Sequence, residues 1–511
     1  MSADGGDQSR LQSLASISKG ASWYTLGKIV SDGGEFALHF LVSRWLGPAS
    51  YGLFAYGKTL AFSALLLTNL GSDTSILKYL PQHENDPNKR RFLLGLAWLT
   101  SFAGGLLVSG ALFVFAPVLS EVTLAEPQFV DVLRLFAAIL FIDTLSNLLY
   151  ATFRAVELIK YEILSKRLFK PLLRVAGVGI VIFLGGTLYD AVVALVVAGV
   201  LTLAVAGYLF LSRLDIRPTL SSPGSTNKTV REYYNYSLPL TLKEAGTLLQ
   251  GRIDVLMVGL FLSSTAVGIY NVSVLIAGVL YIPLLAVDQL FPPLASRLVA
   301  QDKRNDLAQV YSVVTRWVFS ISLPLGVVAV IYRTELLGLF GPEFTVGTLV
   351  LALFVVGQLC LAGTGPSDSL LMMTDHQYIV MANEWVFGLA NVALNYICIQ
   401  VFGLTGAAIA SAGVLSVRNL TTVAELHYLE GIQPYSREFG KPVVAGVLAG
   451  GWMVIAAGLF SEATAAVIGT VGGLLLYAGS LRVLGIEAVD YRLYRRLTAT
   501  RKEGGTQPAD D

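Results

Sequence analysis

Residues 242–261 read LKEAGTLLQGRIDVLMVGLF. Eleven of these side chains would sit comfortably in lipid, yet Lys243, Glu244, Arg252 and Asp254 stand among them. The rest of the chain decides how the stretch is read. Apolar residues make up 54% and charged residues 14% of 511 residues, and mean hydropathy is +0.65, a composition foreign to water-soluble domains. The chain is therefore read as an all-α integral membrane protein.

A helix needs roughly 20 residues to cross about 30 Å of hydrocarbon. Fourteen segments meet that length: 20–46, 50–76, 92–116, 128–153, 168–187, 191–211, 233–261, 266–293, 308–331, 346–371, 384–401, 406–428, 442–459 and 464–482. Lys and Arg collect in the loops of the cytoplasmic side. With the N-terminus inside, those loops hold about 24 of them, Lys89, Arg90, Arg91, Lys166, Arg167, Lys303, Arg304, Arg495 and Arg496 included. The outer loops hold only Arg333, with Glu121, Glu126, Asp190, Glu335, Glu343 and Glu462. Both termini are expected to be cytoplasmic and the first span to be the insertion signal, since residues 1–19 are polar. Cys360 and Cys398 fall inside spans, where free buried thiols are expected.

The first six spans and the next six read as two copies of one unit. An offset of about 216 carries Gly52 onto Gly268 and Leu133 onto Leu349, and Asp73 falls beside Asp288. An even number of spans per copy makes this a parallel repeat about an axis along the membrane normal. The expected organisation is a cytoplasmic segment 1–19, an N-lobe 20–211, a Ser- and Pro-containing linker 212–232, a C-lobe 233–428, an appended hairpin 442–482 and a cytoplasmic tail 483–511.

Catalytic chemistry is poorly provided for. GLFAYGKT at 52–59 fits the phosphate-loop pattern, but it runs into a membrane helix rather than following a buried strand, so no nucleotide site is expected. Four histidines, two cysteines and no His-Glu-x-x-His motif leave no metal or nucleophile site. No catalytic residue, metal, cofactor or nucleic-acid partner is expected, and the chain is read as a non-enzyme.

The charges inside the spans carry the functional reading. Lys28, Asp32, Glu35 and His39 are spaced i, i+4, i+7, i+11, which keeps them in a stripe roughly 60° wide and about 16 Å long. In the opening stretch Lys243, Thr247, Gln250 and Asp254 repeat that spacing. At roughly 2.5–3.5 kcal/mol for each Lys or Asp at a helix centre, such stripes must face protein or water. Two readings compete: paired charges that only lock helices in register, or a polar cavity between the copies. Arg252 falls opposite the stripe, so either Gly251 breaks the helix or Arg252 faces a neighbouring span such as the eighth or twelfth. Arg44 and Arg134 near outer ends, and Arg174 and Arg316 near inner ends, are read as snorkelling.

Arg44, Leu46, Gly47, Pro48, Tyr51 and Gly52, with Arg252, Asp254, Met257, Gly259, Phe261, Gly268, Ile269 and Tyr270, make a pattern that resembles the polysaccharide-biosynthesis or O-antigen-type flippases. These belong to the multidrug/oligosaccharidyl-lipid/polysaccharide exporter superfamily, and the chain is similar to its archaeal members. The resemblance covers about residues 20–482. It implies two six-helix lobes around a central cavity, and transport of a polyprenyl (dolichyl) phosphate-linked glycan to the outer leaflet of the cell membrane by alternating access, for surface polysaccharide or glycoprotein glycosylation. On that reading Lys28, His39, Lys58, Lys243, Thr247, Gln250 and Arg252 line the substrate cavity. Asp32, Glu35 and Asp254 are candidates for a coupling H⁺ or Na⁺. The spans carry nearly as many acids as bases, a departure from the cationic cavity expected of such flippases. Membrane lipids are the other expected partner. The alternatives are a cation-coupled multidrug antiporter of the same superfamily, which would not call for the last two spans, and a membrane glycan polymerase or ligase, which would call for larger outer loops.

Overall fold

The computed structural model describes residues 4–221 and 226–485, with side chains from Gly27 onward except at 226–227, 242–243, 249–250 and 462–463. Among the described residues every regular element is helical. Among those same residues nine helices are long and apolar enough to cross a membrane, or up to ten with the bent pair Gly27–Asn69 and Ser72–Gln82. Helices also lie over the expected spans that fall short of that test. Lys170–Phe183 covers the fifth, and Thr226–Gly251 with Ile253–Phe261 covers the seventh.

Local chemistry explains where these helices turn. Helix Asp4–Asn69 is continuous except at Gly47, whose φ of 72° is the left-handed value a glycine tolerates, and Pro48 then fixes the first turn of the next segment. Helix Gln377–Glu430 is interrupted in the same way at Gly403. Asp86 caps helix Pro87–Val114 by accepting from the Lys89 amide at 3.0 Å, and Thr187 with Asp190 forms a capping box for helix Leu188–Arg213.

The chain divides into two compact units, one holding Ser16–Val272 and Glu384–Ala407, the other Ser273–Asn383 and the described parts of Met1–Ala15 and Ala408–Asp511. In the first unit a core of Ile76, Leu80, Leu94, Leu149, Phe153, Ala206, Phe210 and Tyr233 joins the helices that begin at Ser72, Pro87, Pro127, Leu188 and Thr226. The segment after Arg213 folds back, Thr219 donating its amide to the Arg91 carbonyl at 3.1 Å. In the second unit Phe291, Ala295, Leu307, Tyr311, Leu370, Leu371 and Leu426 form the core. Arg418 reaches Asp368 at 2.7 Å beside it. Helices Gly440–Leu459 and Glu462–Leu484 form a hairpin that docks on helix Arg304–Ile331, where Tyr477 donates to the Ser320 carbonyl at 2.8 Å. Arg316 is buried in that unit at 8% exposure, so it does not snorkel as the sequence suggested. It stands near the middle of helix Arg304–Ile331, between Thr315 and Trp317. Cys360 and Cys398 are free thiols.

The two repeat-related glycines meet inside the first unit. A Cβ on Gly52 would lie 1.7 Å from the Ser264 carbonyl oxygen, and one on Gly268 would lie 2.1 Å from that of Pro48. Ser264 stands 216 residues after Pro48, as Gly268 does after Gly52. The crossing is thus reciprocal, each copy placing its glycine against the first turn of the other, and only hydrogen in place of a side chain lets the backbones approach so closely.

Candidate functional site

The charged stripe of the first span divides in two. Lys28 and Asp32 pair with each other at 2.8 Å on a half-exposed surface. One turn on, Glu35 and His39 turn toward the next segment, where Lys58 sits. Lys58 is ion-paired with Glu35 and lies 2.7 Å from His39 Nε2, and His39 Nε2 is 3.5 Å from the Glu35 carboxylate. Lys58 thus belongs to an ion pair between two helical segments, and the segment 48–69 that carries GLFAYGKT is helical throughout.

The cluster extends into helices that the stripe did not include. Arg174 lies 4.0 Å from Glu35 and 3.4 Å from Asp143, and Lys170 donates to Asp143 at 2.7 Å. Arg174 therefore does not snorkel: its side chain is 14% exposed and bridges two carboxylates. A π turn, Ile163–Phe169, immediately precedes Lys170 and Arg174. A π turn widens the helix locally and shifts the register of the residues that follow it. Within that turn, ahead of the expected fifth span, burial holds the Lys166 ammonium below the ordinary lysine range, partly offset by Glu162.

Two neutral residues tie the cluster to the glycine crossing. His39 Nδ1 lies 2.8 Å from the Tyr51 hydroxyl, and Asn271 donates its side-chain amide to the same hydroxyl at 2.6 Å. His39 also meets Tyr51 and Phe54 edge-on, with ring centroids 5.8 Å apart in each case.

The seventh-span stripe is placed differently. Asp254 is buried and accepts from the Tyr270 hydroxyl at 2.7 Å. Tyr270 is the repeat counterpart of Phe54 and Asp254 that of His39, so both copies use one internal polar group against one ring. Thr247 is exposed and has further interactions of its own. Lys243 and Gln250 lie outside the described side chains. Arg252 resolves the open choice at Gly251: helix Thr226–Gly251 ends there, Arg252 takes φ −143° and ψ −12°, and a new helix starts at Ile253. The break turns the guanidinium over the Phe62 ring, 5.8 Å from its centroid, and within electrostatic range of Lys58.

Lys58, Lys170 and Arg174 thus pair with Glu35 and Asp143, and Arg252 stands within electrostatic range of Lys58, so that four cations accompany two carboxylates. The near balance of acids and bases along the sequence hides a local excess of positive charge. Access is one-sided, because the Glu35 side chain is 40% exposed whereas those of Asp143 and Lys170 are 21% and 16% exposed. Helical periodicity missed Asp143, Lys170, Tyr51 and Asn271. The available signal was a lone Asp143 in an apolar span together with Lys170 and Arg174 at i, i+4.

A family model described as polysaccharide biosynthesis protein matches residues 17–298, and the MatE model matches residues 239–397. A protein of Haloferax volcanii named probable low-salt glycan biosynthesis flippase Agl15 is 25% identical over 44% of this chain, and the match spans 48% of that relative, about half its length. Among solved structures, lipid II flippase MurJ in an inward closed conformation superposes with a TM-score of 0.70 at 11% identity, covering 90% of this chain and 98% of that one. A multidrug resistance MATE family transporter in an inward-facing conformation gives 0.64 at 15% identity, covering 81% and 98%. Both share the fold of this multi-pass membrane protein.

Proposed function

Because the chain belongs to the polysaccharide biosynthesis protein family, we propose that it moves a polyprenyl (dolichyl) phosphate-linked sugar or oligosaccharide from the cytoplasmic to the outer leaflet by alternating access. The product would serve surface polysaccharide or glycoprotein glycosylation at the cell membrane. Fourteen spans, cytoplasmic termini and two six-helix lobes around a central cavity belong to the same proposal.

The observation that carries it is the cation cluster around Glu35. A sugar-phosphate head does not cross hydrocarbon unaided; it needs cations for the phosphate and hydrogen-bonding groups for hydroxyls, while its prenyl tail stays in lipid. Lys58 and Arg252 stand at the exposed side of the cluster, ready to exchange a carboxylate or a ring for a phosphate. Lys170 and Arg174, held by Asp143, keep the field positive behind them. Lys28 and Lys243 are assigned with Lys58 and Arg252 to the phosphate, Thr247 and Gln250 to the glycan, and His39 to the link between Lys58 and Tyr51. Of the coupling candidates, Asp32 is engaged by Lys28 and Asp254 by Tyr270. Glu35, which Lys58 and Arg174 approach, is the group whose charge a bound H⁺ or Na⁺ would change most. The relative named as a glycan biosynthesis flippase supports this reading.

The MatE match supports a second reading, a cation-coupled multidrug antiporter. An excess of cations at the site opposes it, since cationic drugs would be repelled. Purified protein in liposomes decides between them. Expected is movement of a dolichyl phosphate-linked glycan between leaflets, read by lectin or glycosidase accessibility, with a raised half-saturating concentration in Lys58→Gln. Dye efflux that collapses with an ion gradient, without glycan movement, would replace the proposal with the antiporter.

A further inference from the structure

The reciprocal glycine crossing is symmetric in its backbone but not in its side chains. Tyr51 and Asn271 share one hydrogen bond across it, and an offset of 216 places Val267 and Ala55 at the counterpart positions. Those counterparts are apolar and buried, at 0% and 2% exposure. The polar pair therefore occupies only one of two equivalent places, and packing alone does not require it. Its hydroxyl is also the one that His39 reaches.

The hydrogen-bond polarity along this chain is fixed from one end. An ammonium has no acceptor, so Lys58 donates to His39 Nε2. A neutral ring so engaged carries its proton on Nδ1, and that N–H donates to Tyr51. The Tyr51 oxygen thus accepts from His39 and from Asn271 together, and both contacts depend on where it is held.

We propose that Tyr51 and Asn271 are positioning residues that latch the glycine crossing shut, and that an anionic headgroup taking Lys58 from His39 releases them. Loss of the Lys58 hydrogen bond frees the His39 ring to change tautomer or rotate. Tyr51 then loses one of its two donors, and the helices crossing at Gly52 and Gly268 can part. The release step rests on the reading of Lys58 as a phosphate ligand; the latch itself does not.

The test uses full-length protein in detergent with Cys360→Ser and Cys398→Ser, and a reporter Ala55→Cys at the crossing. Labelling by a bulky charged maleimide should be slow. Tyr51→Phe, which keeps the ring against Phe54, and Asn271→Ala should each speed it about tenfold, the effect of one hydrogen bond of typical strength. Lys58→Gln should do the same. Dolichyl phosphate should speed labelling of the parent and leave Tyr51→Phe unchanged. Labelling as slow in Tyr51→Phe and Asn271→Ala as in the parent would overturn the latch. So would equal acceleration at a control Ala97→Cys in the core of the same unit, which would mean general loosening. Fast variants with a parent blind to dolichyl phosphate would uphold the latch and overturn the phosphate reading of Lys58 instead.

Discussion

Lys170 on one helix donates a 2.7 Å hydrogen bond to Asp143 on another. Arg174 shares the same carboxylate, so Asp143 compensates two cations at once. Removing one partner of such a pair leaves uncompensated charge away from water, at a cost of roughly 3–5 kcal/mol. Asp143→Asn is therefore expected to lower the thermal midpoint in detergent by several degrees. Asp143→Asn with Lys170→Met should recover part of the loss, whereas an unchanged midpoint in the single variant would show that the cations reach water.

That pair also marks the boundary of what the sequence discloses. The Lys28, Asp32, Glu35 and His39 stripe was legible because four ionisable groups share one helical face, and so was the repeat that brings Gly52 and Gly268 together. The stripe's partners were not. Asp143 stands alone in its span, and Lys170 and Arg174 follow a π turn that a wheel of constant pitch ignores. Tyr51 and Asn271 are neutral, and although Tyr51 stands in the family pattern, only proximity shows that the two are partners. Arg252 could not be placed because its direction depends on a backbone break, for which Gly251 was a permissive but not a sufficient sign.

Gly52→Ala places a methyl group where the Ser264 carbonyl oxygen already stands. Backbone on the other side cannot yield as a flexible side chain would, so a loss of about 1–3 kcal/mol is expected. Gly110→Ala is the control: that helical glycine has open space beside it, and its substitution should be neutral or stabilising by up to about 1 kcal/mol. Thermal midpoints of the two variants that coincide would refute the close crossing.

Topology follows from the distribution of Lys and Arg. Reporter fusions at 117–127 and at 212–232 should label opposite faces of the membrane, the second on the cytoplasmic side. Labelling of both on one face would remove the repeat's parallel sense.

Tyr270→Phe tests whether Asp254 serves structure or transport. The substitution keeps the ring and deletes the hydroxyl that donates to Asp254 at 2.7 Å, and weakening the satisfaction of a buried carboxylate costs about 1–3 kcal/mol. If Asp254 is only a packing partner, the variant should lose stability while its glycan translocation per folded molecule stays at the parent level. If Asp254 carries the coupling ion, translocation should also lose its dependence on the imposed gradient.

Lys58 and Lys170 separate ligand binding from field. Lys58 stands at the open side of the cluster and Lys170 is held by Asp143, so the two lysines should fail differently. Lys58→Gln removes a direct phosphate contact and should raise the half-saturating concentration of lipid-linked glycan about tenfold or more, as expected for a charge-assisted hydrogen bond. Lys170→Gln leaves the contact in place and weakens only the potential around it. Its effect should be smaller, and it should fade as ionic strength rises to the extent that ions enter the chamber. Translocation assays over a concentration series at two salt levels give both numbers. Equal, salt-independent losses would place both lysines in the packing and none at the ligand.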